Sequence, residues 1–400
     1  MNRDIYLDHA ATTPLDPKVQ AVMLPFIEEE YGNPSSFHMR GKVVRDAVDE
    51  ARSKVASIIG ARPDEVIFTS GGTESDNLAI LGVARKHREA GKHIISVKSE
   101  HEAVLESLEH LEKKEGFEVT LLTPDNDGAV SVKDVMNALR EDTILVTVMY
   151  ANNEIGTINP IGKIGATIEA HRKEKKSAYP LFHTDACQAA GALELDIKKL
   201  HVDLMTVTAS KIYGPKGVGA LYLRRALKIQ PLQFGGSQEA KKRPGTENVI
   251  GIIGFAEALK IASEKKAEEN VRQTALRDRL IAGIEERVPK VRLNGDRENR
   301  LPNNVNISFM DIEGEALLLY LDAAGIYAST GSACTSASLD PSHVILALGL
   351  PYEVAHGSIR FTLGRGTTDE DIDYVLDTIP SLVERLRKIS PVRVDEKYYR

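Results

Sequence analysis

Cysteine is nearly absent from this chain: Cys187 and Cys334 are the two thiols in 400 residues. Two do not make a disulfide framework, so a reducing cytosol is the expected compartment. No apolar run is long enough to cross a membrane. The opening MNRDIYLDHAATTP has no apolar core of signal-peptide length. Excess positive charge is missing too. The 51 Lys and Arg are outnumbered by 58 Asp and Glu, and the net charge of −7 argues against non-specific binding to nucleic acid or anionic membrane. Mixed signs near the C-terminus (Arg385, Arg387 and Lys388, then Asp395 and Glu396) read as a solvated surface or, more sharply, a protein contact. There is neither an internal repeat nor a low-complexity tract. What is left is an ordinary globular composition, long enough for two or three structural units and a substantial core.

Short apolar runs alternate with amphipathic stretches through the first two thirds of the chain. Strands are expected at Val66–Thr69, His93–Val97, 119–122, 144–149, Leu181–Asp185, Leu204–Thr208 and Gly219–Leu223. Helices are expected at 41–59, 75–90, 101–115, 132–140 and 164–175. Strands spaced by such helices imply an α/β fold with a mostly parallel seven-stranded sheet covered on both faces. Ligands in such sheets sit at the C-terminal ends of strands. After Gly251 the texture changes: a long charged helical region at 255–287, a helix near 315–322, a strand at 358–363 and a last helix at Asp369–Ile389. The reading therefore divides the chain into a large domain, 16–263, and a smaller α+β domain made of 1–15 and 264–400.

Polar clusters fall at the expected strand ends. Lys211 follows an apolar strand and precedes Tyr-Gly-Pro-Lys-Gly and a second apolar strand. A lysine drawn out of water becomes a nucleophilic amine suited to imine formation, although a stem that snorkels to solvent is the plainer reading. Gly71 and Gly72 with Thr73 and Asp76 suggest a capping box at a helix N-terminus, a place that suits a phosphate or is simply a helix cap. His183 and Asp185 share one strand face; a buried carboxylate there needs a cation such as a protonated pyridine nitrogen, or the two form a His-x-Asp metal pair. Tyr150-Ala-Asn-Asn-Glu and Ser99-Glu-His101 follow two other strands. Together these residues suit pyridoxal 5'-phosphate: a phosphate cup, an acid for the ring nitrogen, a ring-flanking histidine and an imine lysine.

The motifs HAATTPLDP, SGGTESDNLAI, SEHEAV, NNEIG, TDACQ, SKIYGPKG, PGTEN, GSACTSAS and SIRFTLGR, spread over nearly the whole length, resemble those of cysteine desulfurases of the NifS/IscS type. The resemblance implies the fold type I architecture of pyridoxal-phosphate-dependent transferases and the conversion of L-cysteine to L-alanine. It implies that Lys211 holds the cofactor, Asp185 pairs with its ring nitrogen, and His101 stacks on the ring and moves protons. Gln188 and Asn153, with Asn152 as a neighbour, would bond the ring oxygen. Gly72, Thr73, Thr208 and Ser210 would hold the phosphate, and Thr246 would reach the phosphate of the other subunit of a homodimer. Arg360, with Asn33, would clamp the substrate carboxylate. Cys334, in a Gly/Ser/Ala-rich loop expected to be mobile, would take the sulfur as a persulfide. It would then hand it to an iron–sulfur scaffold protein or another acceptor. Cys187 has no implied role beyond packing. Two features depart from the family: Ser210 stands where many members have histidine before the lysine, and the segment 173–179 is longer than expected.

Overall fold

The computed structural model describes residues 4–330 and 341–399. A two-residue strand, β1 (Ile5–Tyr6), lies in the N-terminal arm. A helix that the sequence reading missed, Pro17–Glu28, follows. Asp16 caps it by accepting the Lys18 N–H at 2.9 Å, and Pro17 sits in the first turn, where no backbone donor is required.

Among the described residues seven strands form the main sheet: β2 (Val66–Thr69), β3 (His93–Val97), β4 (Glu118–Leu122), β5 (Thr143–Thr147), β6 (Leu181–Asp185), β7 (Leu204–Thr208) and β8 (Gly219–Leu223). Their order is β2-β8-β7-β6-β5-β3-β4, parallel except for β8, which runs against both neighbours. Every residue of these strands is buried except in the edge strand β4, which explains the continuous apolar runs in place of alternation. Helices Met39–Ile58 and Ile161–Lys175 cover one face. Helices Gly72–His87 and Glu102–Glu115 cover the other. Gly116, in the left-handed conformation at φ 69°, stops the last of these.

The helix Val249–Arg287 runs unbroken for 39 residues, about 58 Å at 1.5 Å per residue. Its first part, Ile252 to Ala262, buries apolar side chains against the main sheet. Its last part, Leu276 to Ile284, packs into a second core. The domain boundary expected near Ser263 thus falls inside a helix. The second core is built on β9 (Val291–Leu293), β10 (Asn304–Phe309), β11 (Ile326–Tyr327) and β12 (Ser358–Thr362). An antiparallel sheet in the order β12-β10-β9 packs against helices Gly314–Ala323 and Asp369–Ile389, and β1 pairs in parallel with β11. Ile5 and Leu7 are buried in this core, so the arm begins on the second unit and crosses to the first.

Candidate active site

A cavity of about 780 Å³ lies where the ends of β2, β3, β5, β6 and β7 meet the second unit. It is lined by Gly71, Gly72 and Thr73 after β2, His101 after β3, Asn153 and Glu154 after β5, and Asp185, Cys187 and Gln188 at the end of β6. Thr208, Ser210 and Lys211 come from β7, and Arg360 from β12. A parallel sheet brings these segments together because all five strands point the same way.

At one end the helix Gly72–His87 begins after Gly71, whose φ of +151° is open to glycine. The Thr73–Asp76 capping box expected from the sequence does not form: no side chain caps this helix, and Asp76 is buried. The first amides of the helix stand beside the hydroxyls of Thr73, Thr208 and Ser210, the last two 3.5 Å apart. A Cβ built on Gly72 would meet Cys187 Sγ at 2.9 Å, so the cup accepts no side chain there. Uncapped amides and hydroxyl donors around a glycine-lined hollow suit a phosphate dianion.

Below the middle of the cavity, Asp185 Oδ1 accepts the Cys187 N–H at 2.8 Å. Burial, and then the charge of Asp185, push the Asp76 carboxyl well above the usual carboxylate range, and its Oδ1 has no hydrogen-bond partner. His183 lies 3.7 Å from that oxygen, but burial lowers its pKa to about 3, so the imidazole is neutral and the contact is no ion pair. Its two nitrogens are taken up by Thr147 Oγ1 at 2.8 Å and Thr206 Oγ1 at 3.1 Å. The metal-pair reading of His183 and Asp185 fails for that reason: the imidazole is committed to threonines inside the protein.

Lys211 sits in the single turn Ala209–Lys211 that ends β7, half-buried, with Nζ donating to the Ala11 carbonyl. The arm that supplies this carbonyl is strapped across the cavity. Gln188 Nε2 donates to the Ala10 carbonyl at 3.0 Å, Lys216 Nζ to the Thr13 carbonyl at 2.8 Å, and Thr13 Oγ1 to the Ser210 carbonyl at 3.0 Å. Arg360 is 2% exposed; its Nη2 pairs with Asp8 of the arm at 2.8 Å and its Nη1 donates to the Asn153 carbonyl at 3.0 Å. His101 caps the helix Glu102–Glu115, its Nδ1 accepting the Ala103 N–H at 3.0 Å.

The structure therefore brings together Gly72, Thr73, His101, Asn153, Asp185, Gln188, Thr208, Ser210, Lys211 and Arg360. Three expected residues stand elsewhere. Asn33 lies in an exposed turn, its side-chain carbonyl accepting the Ser35 N–H at 2.8 Å. Thr246 lines a separate hollow of about 150 Å³ with Thr69, Ser70 and Arg243. Asn152 braces the loop internally: its amide donates to the Ser99 carbonyl and its oxygen accepts the N–H groups of Glu154 and Ile155. Cys334 lies outside the described residues. Sequence reasoning missed Asp8, Glu154 and His343, which also line or complete the site. Asp8 directly precedes the arm motif, yet nothing local in DHAATTP announces a partner 352 residues away.

The donor set fits pyridoxal 5'-phosphate: an uncapped helix end and hydroxyls for phosphate, a carboxylate on the floor, and an amine at the rim. The known proteins agree. The family model described as aminotransferase class-V matches residues 5–375. A cysteine desulfurase IscS from Dictyoglomus turgidum is 53% identical over 397 residues, 99% of each chain. A solved NifS-like protein is 36% identical with a TM-score of 0.88, covering 96% of this chain and all of its own. A solved SspA in complex with cysteine is 34% identical with a TM-score of 0.78, covering 90% and 98%. Identity at this level over the full length, on a fold and cavity of this kind, makes the chain a member of the pyridoxal-phosphate-dependent class-V aminotransferase family, in its cysteine desulfurase branch.

Proposed function

We propose that this protein converts L-cysteine to L-alanine, carrying the sulfur as a persulfide on Cys334 to acceptor proteins that assemble iron–sulfur clusters and other sulfur-containing cofactors. The observation that carries the reading is the meeting of Lys211, Asp185 and Arg360 in one cavity. Bound there, pyridoxal 5'-phosphate supplies a carbonyl that takes up amines and a ring that draws electrons from the substrate. The protein does the rest. Lys211 holds the cofactor carbonyl, Asp185 the ring nitrogen and its proton, and Gln188 and Asn153 the ring oxygen. Gly72, Thr73, Thr208 and Ser210 hold the phosphate, with the hydroxyl of Ser210 as a neutral donor.

Arg360 receives the substrate carboxylate through its planar fork, already oriented by Asp8 and the Asn153 carbonyl. The cysteine carried by the SspA neighbour supports that substrate class. The Cys334 thiolate attacks the substrate sulfur: a sulfur–sulfur bond forms as the carbon–sulfur bond breaks, the bonding pair stays with the substrate carbon, and that carbon takes up a proton before alanine departs. The test is mass spectrometry of the intact holoenzyme after exposure to L-cysteine. One sulfur atom added at Cys334, with alanine formed, is the expected result; sulfide release with Cys334 unmodified at every time point would refute the carrier role.

The reading extends to a homodimer and to two domains. Tyr31, Phe37, Met39 and Phe234 expose most of their apolar surface, which supports burial against a second copy. Thr246 and Asn33, apart from their own chain's cavity, then serve the second copy's. Sedimentation at twice the 43.8 kDa chain mass is expected, and a monomer at micromolar concentration would count against it. The separate cores support a large domain, 16–263, with 1–15 and 264–400 forming the smaller one. Among the described residues no helix is long and apolar enough to cross a membrane. A cytoplasmic protein that binds neither nucleic acid nor membrane is in keeping with the net charge of −7.

A further inference from the structure

The cavity is lined by two imidazoles with opposite hydrogen-bond commitments. An amide N–H can only donate, so His101 Nδ1, which takes the Ala103 N–H, is an acceptor, and the neutral ring carries its proton on Nε2. A carbonyl can only accept, so His343 Nε2, 2.8 Å from the Glu100 carbonyl oxygen, carries the proton and leaves the lone pair on Nδ1. Neutral His101 is thus a donor at Nε2. His343 is a base in waiting. It is half-buried and also lines a second hollow of about 480 Å³ with Lys98, Thr123 and Leu346. The preceding residue is fixed: Ser342 donates its hydroxyl to Glu154 Oε2 at 2.5 Å.

We propose that His343 is a catalytic base of this site, taking at Nδ1 a proton from the α-ammonium group of the incoming amino acid. The ammonium N–H bond breaks, an Nδ1–H bond forms, and the lone pair left on nitrogen makes the amine a nucleophile; the imidazolium then returns the proton to solvent. The proposal rests on the desulfurase reading. The charged and titratable groups around His343 are Lys98, Glu100 and His101 after β3, Glu154 after β5, and Arg360 on β12. Burial pushes the carboxyls of Glu100 and Glu154 up, against the backbone amide of Met149 for the first and the Ser342 hydroxyl for the second.

The experiment mixes holoenzyme rapidly with L-cysteine or with L-alanine, which shares the ammonium group but has no thiol, and follows the cofactor's visible band. His343→Gln keeps a donor for the Glu100 carbonyl, and its resting band and thermal midpoint serve as the folding control. With either amino acid the spectral change is expected to slow about 100-fold near neutral pH, in the range of a lost general base. The deficit should shrink as pH rises, because free amine needs no base. Wild-type rates in His343→Gln, or a deficit constant across pH, would overturn the proposal. Added imidazole should accelerate His343→Ala, and no acceleration would likewise overturn it. A wild-type protein that shows no spectral response to cysteine would instead sink the desulfurase reading itself.

Discussion

Lys211→Ala, purified and supplied with pyridoxal 5'-phosphate, is expected to be folded but to lack the visible band of the wild type, and to form alanine from cysteine about 10⁴-fold more slowly, at the upper end for a positioned proton-transfer group. Lys211 is the amine expected to join the cofactor covalently; Lys216, which also lines the cavity, donates to the Thr13 carbonyl. The cup, with its uncapped helix end and the Thr208 and Ser210 hydroxyls, remains in the variant. Weak, non-covalent retention of the cofactor is therefore expected, measurable as phosphate-dependent competition. The arm loses its bond from Nζ to the Ala11 carbonyl but keeps Thr13 on Ser210 and Lys216 on Thr13, so the thermal midpoint should move little. Retention of the band in Lys211→Ala would mean that another amine holds the cofactor, and the site as described would be wrong.

Cys334→Ala should separate binding from sulfur transfer. On the proposed reading, cofactor and substrate carboxylate are held by residues other than Cys334, so the spectral response to L-cysteine is expected to survive. Alanine formation is expected to fall by on the order of 10⁴-fold or more, as when a nucleophile is removed. The second thiol cannot replace it. Burial, followed by the charges of Asp185 and Asp76, pushes the Cys187 thiol well above its ordinary range, and the thiolate is the nucleophilic form. Cys187 also touches the position of a Gly72 side chain, so it is held as a wall of the cup. Undiminished alanine formation in Cys334→Ala would exclude that sulfur as the attacking atom.

The main sheet was legible because each of its strands is short, apolar and bounded by turn residues, and because buried parallel strands need no alternation to be recognised. Val66–Thr69, His93–Val97, Leu181–Asp185, Leu204–Thr208 and Gly219–Leu223 fall where they were expected. The helix Pro17–Glu28 escaped notice, since Thr13-Pro14 and Asp16-Pro17 read as turn chemistry in an extended arm; Pro17 instead begins the helix and Pro25 is tolerated within it. The helix over β2 starts at Gly72, three residues before the expected 75, because the glycine pair and not a threonine forms its entrance.

What the amino-acid order determined by itself is the succession of strands and helices and the chemical identity of the groups at the strand ends: Lys211, Asp185, His101 and the Gly71–Thr73 cup. Both are carried by local periodicity and by residue types whose burial makes sense only with a partner. Tertiary structure alone decided that Asp8 meets Arg360 and that the arm's carbonyls hold Lys211 and Gln188. It also decided that Asn33 and Thr246 stand away from their own cavity, and that His101 accepts an amide N–H at Nδ1 while His343 donates from Nε2 to a carbonyl. Those contacts join segments up to hundreds of residues apart. No local propensity encodes them, because their geometry is set by how two cores pack against one arm.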